Sequence, residues 1–296
     1  LAELAPTASA CSSPTRPAGG LDRPEARSRL AGSRTDMPLH VERWGTGPPV
    51  TFVHGLGASA RYWHSVRREL PQISGRAPDL LGFGDSPSPP DSPYDVPAHL
   101  DALLSVLPGP SLVVAHSTGC LLATALAARR PDLVRGLVLL GAPVFPDDDT
   151  AAREIGRLGL LARLTVNESR WARWLCAVTC HLRPVAIAAA PLLSRDLPRA
   201  VASDAARHTW RSYSRTLRAV VIEHRARPDL LVYGGPVVAL HGRDDRTAPI
   251  GYVQDLASTL AAAGRSIEVR VVDGDHHLAI RRPDVVAATV AALAAA

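Results

Sequence analysis

Lysine is absent from the 296-residue chain, so every one of its 33 Lys-or-Arg positions is an arginine. That absence removes three chemistries. A P-loop needs a lysine on the nucleotide phosphates, and Schiff-base and pyridoxal enzymes need a lysine amine for their covalent link. Cysteine is scarce as well: Cys11, Cys120, Cys176 and Cys180 include no Cys-x-x-Cys pair and no regular spacing. Free thiols in a reducing compartment are expected, not a disulfide framework. Cys176, Cys180 and the adjoining His181 are expected to pack beside Trp171 and Trp174 as small apolar groups, so no metal is expected there. Long apolar runs are missing too. None approaches the roughly 18 to 20 residues of a membrane span, and the nearest, RPVAIAAAPLL, is interrupted by Pro184 and Pro191.

What is present is the composition of a globular domain, 46% hydrophobic and 21% charged, in a chain long enough for one large α/β domain with an insertion. The formal net charge is +5. Because the arginines are scattered among acids, neither nucleic acid nor a membrane is an expected partner. The expected partner is a small-molecule substrate, bound by a monomer or homodimer.

Residues 1–36 are rich in Ala, Pro, Ser, Gly and Arg without hydrophobic periodicity. Such a segment cannot bury enough apolar surface to order itself, so a disordered leader is expected, with the fold opening at Met37, the only methionine. It has no basic start followed by an apolar core, the mark of a secretory signal, and a cytoplasmic location is expected. Beyond Met37 short apolar runs alternate with helical segments. PPVTFVHG, SLVVAHS and VRGLVLLGAP read as buried strands, with helices over Ala60–Leu70 and TGCLLATALAARRP between them. Continuous apolar strands joined by helices predict an α/β fold with a mostly parallel sheet and helices on both faces.

That rhythm stops after Pro146 and returns at PVVALHGRDD, followed by the strand SIEVRVVDGDHH and the helix PDVVAATVAALAAA. The chain therefore divides into core segments 37–146 and 234–296 around a helical insertion, 147–233. Helices inserted at the carboxyl ends of parallel strands commonly close substrate pockets, and a cap is expected.

Ser117 sits in Ala-His-Ser-Thr-Gly, between a buried strand and the start of a helix. A sharp turn of this kind needs small residues two positions to either side so that the backbones can pass, and Ala115 and Gly119 occupy those places. The pattern is the nucleophile elbow G-x-S-x-G with Ala for the first Gly. A serine hydroxyl attacks only when a base takes its proton and an acid orients that base. Acid candidates Asp244 and Asp245 follow one strand, in VVALHGRDDRTAP; base candidates His276 and His277 follow another, in VVDGDHHLAIRRP. All lie at the carboxyl edge of the sheet.

With HGLG at His54–Gly57 and APDLLGFGDSP at Ala77–Pro87, the chain from Met37 to Ala296 resembles the α/β-hydrolase superfamily. The resemblance implies that Ser117 is the nucleophile. It favours Asp245 as the acid, since the family's G-x-x-D followed by Pro falls on Gly242, Asp245 and Pro249. It favours His276 as the base, seven residues before Pro283, although Asp275 stands where the family commonly has Gly. The backbone N–H groups of Leu56 and Thr118 are the implied oxyanion hole. His54, His116 and His277 are candidate pocket or structural histidines. Cys120 is expected to be buried, and the glycines of the Asp79–Asp85 loop to serve a tight turn.

The implied activity is two-step hydrolysis of a carboxylic ester, lactone or thioester, requiring no cofactor. A serine here excludes the superfamily members that use an Asp nucleophile, and HGLG in place of HGGG argues against the hormone-sensitive-lipase-like branch. A C–C bond hydrolase, a cofactor-free haloperoxidase or perhydrolase, a lyase or cyclase, and a small-molecule-binding protein are the alternatives on the same scaffold. Arg153, Arg157, Arg163, Arg170 and Arg173 of the insertion would favour a carboxylate-bearing substrate if they entered the pocket; a solvated helical face is the expected role.

Overall fold

The computed structural model describes residues 38–295 apart from 168, 194–196 and 205, and the leader expected over 1–36 lies outside these residues. β1 (Val41–Trp44) and β2 (Pro49–Val53) lead through a 3-10 turn at Ala60–Trp63 into α1 (His64–Glu69) and β3 (Ser74–Pro78). α2 (Val96–Leu104), β4 (Ser111–His116), α3 (Thr118–Arg129) and β5 (Val134–Leu140) follow. A helical stretch then intervenes: α4 (Asp148–Arg157), α5 (Leu160–Val166), α6 (Arg170–His181), α7 (Arg183–Leu193), α8 (Arg199–Asp204), α9 (Trp210–Thr216), a π-helical turn (Leu217–Ile222) and α10 (Ala226–Val232). β6 (Val237–Gly242), α11 (Ile250–Ala262), β7 (Glu268–Val272), α12 (Leu278–Arg281) and α13 (Pro283–Ala294) complete the order.

Among the described residues the sheet has seven strands in the order β1-β3-β2-β4-β5-β6-β7. Only β1 runs antiparallel, against β3. Strands β2 to β7 are parallel to their neighbours, so their carboxyl ends share one edge. The unbroken apolar runs have their explanation in the layers. Side chains alternate along a strand, and Val113 and Ala115 of β4 pack with Leu121 and Leu122 of α3 on one face. Leu112 and Val114 pack with Val66 of α1 and Val286 of α13 on the other. Both faces are covered, so the middle of the strand, Leu112 to Ala115, is wholly apolar.

β1 and β3 carry no such signal. SGRAP forms a strand because it lies between β1 and β2, and Gly75 is required there: a Cβ would come within 2.2 Å of the Trp44 indole opposite. Trp44, Phe52 and Trp63 continue as a ring stack at 5.1 and 5.2 Å. Phe52 is fully buried in it. Phe52→Ala is expected to destabilise the fold by about 3–5 kcal/mol, read as a lower urea midpoint.

Candidate active site

One residue separates β4 from α3, and it is Ser117, at φ 52° and ψ −123°. A non-glycine residue in this region is strained and persists only where its surroundings fix it. Here the Ser117 N–H donates to the Leu140 carbonyl (2.9 Å) and the Ser117 carbonyl accepts from Cys120 N–H (2.8 Å). Gly119 makes the corner possible, because a Cβ would lie 2.5 and 2.6 Å from the carbonyl oxygens of Val53 and His54. The result is a serine in the wall of a cavity of about 320 Å³ that His276 also lines.

Asp245 and His276 come together at that edge, with Nδ1 of His276 2.8 Å from Asp245 Oδ2. Oδ1 of the same carboxylate accepts from the N–H groups of Thr247 and Ala248, both at 2.9 Å. Burial pushes the Asp245 carboxyl up, but the hydrogen bond and charge of His276, with the Ala248 amide, overcome this and hold it below its ordinary value of 3.8. The carboxylate stays charged and orients the ring. Asp244, the other acid candidate, is exposed. Among the hydrogen bonds of the described residues, none joins His276 Nε2 to the Ser117 hydroxyl; such contacts commonly tighten when substrate binds.

His116 and His277 line the cavity, whereas His54 does not. His54 lies beneath it, fully buried, its Nε2 accepting from Leu80 N–H (2.8 Å) and its Nδ1–H donating to the Gly55 carbonyl (2.8 Å). It braces the strand end that carries Leu56. The Nε2–H of His116 donates to the His276 carbonyl at 2.9 Å, and its ring stacks on Tyr62 at 4.3 Å. Burial first, then the neighbouring His276, drive the pKa of His116 well below its ordinary value, and the same pair of causes lowers that of His277. Asp275 accepts from His277 N–H (2.8 Å), a local turn contact that leaves His276 free to face Asp245. Leu56 and Thr118 both reach the cavity wall. Thr118 opens α3, where the first N–H groups of a helix have no intrahelical acceptor.

Residues 52–289 match the sequence profile of the alpha/beta hydrolase family. The chain belongs to that family. Lipase LipV of Mycobacterium tuberculosis is 42% identical over 125 residues, 40% of this chain and 47% of that protein. The probable lysophospholipase BODYGUARD 5 of Arabidopsis thaliana is 30% identical over 278 residues, 82% of this chain and 61% of that protein. The chain thus spans about half to three-fifths of the length of these two relatives. A crystal structure of E-2-(acetamidomethylene)succinate hydrolase aligns with a TM-score of 0.67 at 18% identity, over 87% of this chain and 95% of that one, a likeness of fold.

On this alpha/beta hydrolase scaffold several further residues shape the site. Gly141, at the end of β5 with φ +55°, lies under the acid–base pair: a Cβ there would sit 2.9 Å from His276 Nδ1 and 3.0 Å from Asp245 Oδ2. The glycine in LVLLGAP was its only trace in the sequence. A second group ties α8 to the loop that follows β2. Arg61 pairs with Asp204 (2.9 Å) and Asp85 (2.5 Å), Arg207 pairs with Asp85 (3.1 Å), and the Ser59 hydroxyl donates to Asp204. Burial raises the pKa of Asp204 despite Ser59 and Arg61. No spacing rule links residues 145 positions apart.

The remaining candidates are accounted for. Cys120 is buried, and burial pushes its thiol up, away from nucleophilic use. Cys176 and Cys180 are half-buried free thiols on α6, and His181 is exposed. His40, Asp79 and Asp85 could hold an ion by position. Their oxygens are already engaged: Asp79 accepts from Ala60 N–H (2.6 Å) and Asp85 N–H (2.8 Å), and Asp85 pairs with the two arginines. Gly82 and Gly84 in this loop have φ of 83° and 56°, as a tight turn requires. None of Arg153, Arg157, Arg163, Arg170 and Arg173 lines the cavity.

Because Asp245 titrates below its ordinary value when folded, the unfolded chain binds more protons across that window. The stabilisation is complete above about pH 4 and is lost as pH falls through the depressed value. Asp245→Asn is expected to cost about 1–3 kcal/mol at neutral pH, with the gap from the parent narrowing below pH 4; urea midpoints at several pH values measure it.

Proposed function

We propose that the chain is a serine hydrolase that cleaves an ester, lactone or thioester of a small molecule through an acyl-enzyme. The observation that carries this reading is the Asp245–His276 pair, 2.8 Å apart, whose His276 lines the same cavity as a serine held at φ 52°. His276 Nε2 takes the Ser117 proton as Oγ attacks the carbonyl carbon. The displaced carbonyl electron pair becomes an oxyanion, which the N–H groups of Leu56 and Thr118 receive. Collapse of this intermediate breaks the bond to the leaving oxygen or sulfur, and His276 returns its proton there. Water then attacks the acyl-enzyme with His276 as base, releasing the acid and Ser117. Asp245 keeps the ring in the Nδ1–H tautomer and stabilises the imidazolium.

The lining supports a neutral, apolar acyl group. Pro143, Ile155, Leu158, Val201, Leu217 and Val221 make up much of the wall, and no arginine, aspartate or glutamate is among the lining residues. A buried substrate carboxylate would find no partner charge. In this reading 37–146 and 234–296 form the core and 147–233 is the cap, which supplies Ile155, Leu158, Val201, Leu217 and Val221 to the wall.

The test is hydrolysis of p-nitrophenyl acetate, butyrate and octanoate by the parent and by Ser117→Ala. Parent turnover is expected, falling by at least about 10³-fold in the variant, with products that have gained one water. Turnover that survives in Ser117→Ala, or a folded parent that binds these esters without cleaving any, would overturn the reading. Substrate charge makes a second prediction: a neutral ester is expected to have a higher kcat/KM than an ester of equal length ending in a carboxylate.

A further inference from the structure

The helices between β5 and β6 carry an apolar face that nothing else in the described structure covers. On α6, Trp171, Trp174 and Leu175 stand at i, i+3 and i+4, which sets them on one side of the helix. Trp171 is 72% exposed and Trp174 59%, with their rings in edge contact at 6.1 Å. A helix on a water-surrounded domain ordinarily turns such a stripe toward the core; here the residue turned inward is Ala172. Leu160 on α5, Leu182 between α6 and α7, and Val185 and Leu192 on α7 are exposed as well. α6 packs against both neighbours and meets α7 at a 102° bend. Single exposed apolar residues are ordinary, but a run of them over three consecutive helices marks an interaction surface.

Charge selects the occupant. Residues 158–193 contain Arg163, Arg170, Arg173 and Arg183 against one acid, Glu168. Arg163, Arg170 and Arg173 are exposed and form no ion pair among the described residues. Tryptophan and leucine beside unpaired arginine suit the boundary between anionic headgroups and acyl chains. A second copy of the chain would instead bring like-charged arginines together. The face also connects with the cavity. Leu158 and Ala162 line the cavity, Leu158 is itself partly open to solvent, and the exposed Leu160 stands between them.

We propose that this face docks the protein peripherally on an anionic phospholipid surface, seated by Trp171 and Trp174, and that the acyl substrate enters the cavity from that surface. Docking stands on the exposed face alone; substrate entry rests on the hydrolase reading above. Dispersed charge over the whole chain gave no reason to expect a membrane partner, because the local excess of arginine appears only when the acids of the other segments are set aside.

The experiment is co-sedimentation of the full chain with vesicles of phosphatidylcholine, alone or with about one-third phosphatidylglycerol. The parent and Ser117→Ala are expected to sediment with the anionic vesicles, and the double variant Trp171→Ala, Trp174→Ala to bind at least about ten-fold more weakly. That double variant should hydrolyse soluble p-nitrophenyl acetate within about two-fold of the parent, since neither tryptophan lines the cavity. A parent that stays in solution with both vesicle types, a double variant that sediments as the parent does, or a parent dimer that the double variant dissolves would overturn docking. Sedimentation without ester hydrolysis would leave docking in place and remove the hydrolase reading.

Discussion

The geometry of the site depends on one backbone corner. Ser117 must occupy a strained conformation so that a strand can become a helix within a single residue. The strain is sustained by contacts that leave no slack. Gly119 lies against the carbonyls of Val53 at the end of β2 and of His54 after it, and a Cβ added at Gly55 would stand 3.0 Å from the Cβ of Ser117. Gly119 thus brings α3 against the end of β2 closer than a side chain permits, and Gly55 leaves little room beside the serine. The hydroxyl is lifted clear of both elements because the backbone beneath it has nowhere else to go.

Around that corner, burial sorts the imidazoles. His116, His276 and His277 lie within ring contact of one another, at 4.7 to 6.0 Å. Three positive charges at such distances in a poorly hydrated pocket would repel strongly. Only His276 has a carboxylate hydrogen-bonded to its ring, and the pKa values of the other two are depressed. Burial thus favours the neutral form of the two neighbouring histidines that line the cavity beside His276. His116 also holds the main chain of His276 itself, through its Nε2–H.

The centre of the parallel sheet was legible because β4 and β6 are buried along their whole length and read as mostly apolar runs, SLVVAH and VVALHG. The edge of the sheet was not. VERW and SGRAP are strands by virtue of pairing and of the fit of Trp44 onto Gly75, a long-range contact without local signature. The candidate site divides along the same line. Ser117, Asp245 and His276 are legible as candidates because turn chemistry and loop spacing are local properties, and the structure sets Asp245 against His276 and lines one cavity with His276 and Ser117. Gly141 and the Arg61–Asp204–Asp85–Arg207 cluster act through space, and of the pocket and structural roles open to His54 its contacts fit the structural one. Exposure of the Trp171 face was equally hidden, since the same pattern in a sequence ordinarily signals the buried side of a helix.

The cavity is built from two unlike materials. One part of its wall, with Ser117, Thr118 and His276, belongs to the carboxyl edge of the sheet, while Ile155, Leu158, Val201 and Leu217 come from the helical stretch between β5 and β6, which adds no strand to that sheet. Mutational drift in those helices can reshape the pocket without passing through the strained corner or the acid–base pair. A lineage with this arrangement can vary the lining of the cavity while the strained serine and the Asp245–His276 pair remain fixed, so the two parts of the site are free to evolve at different rates.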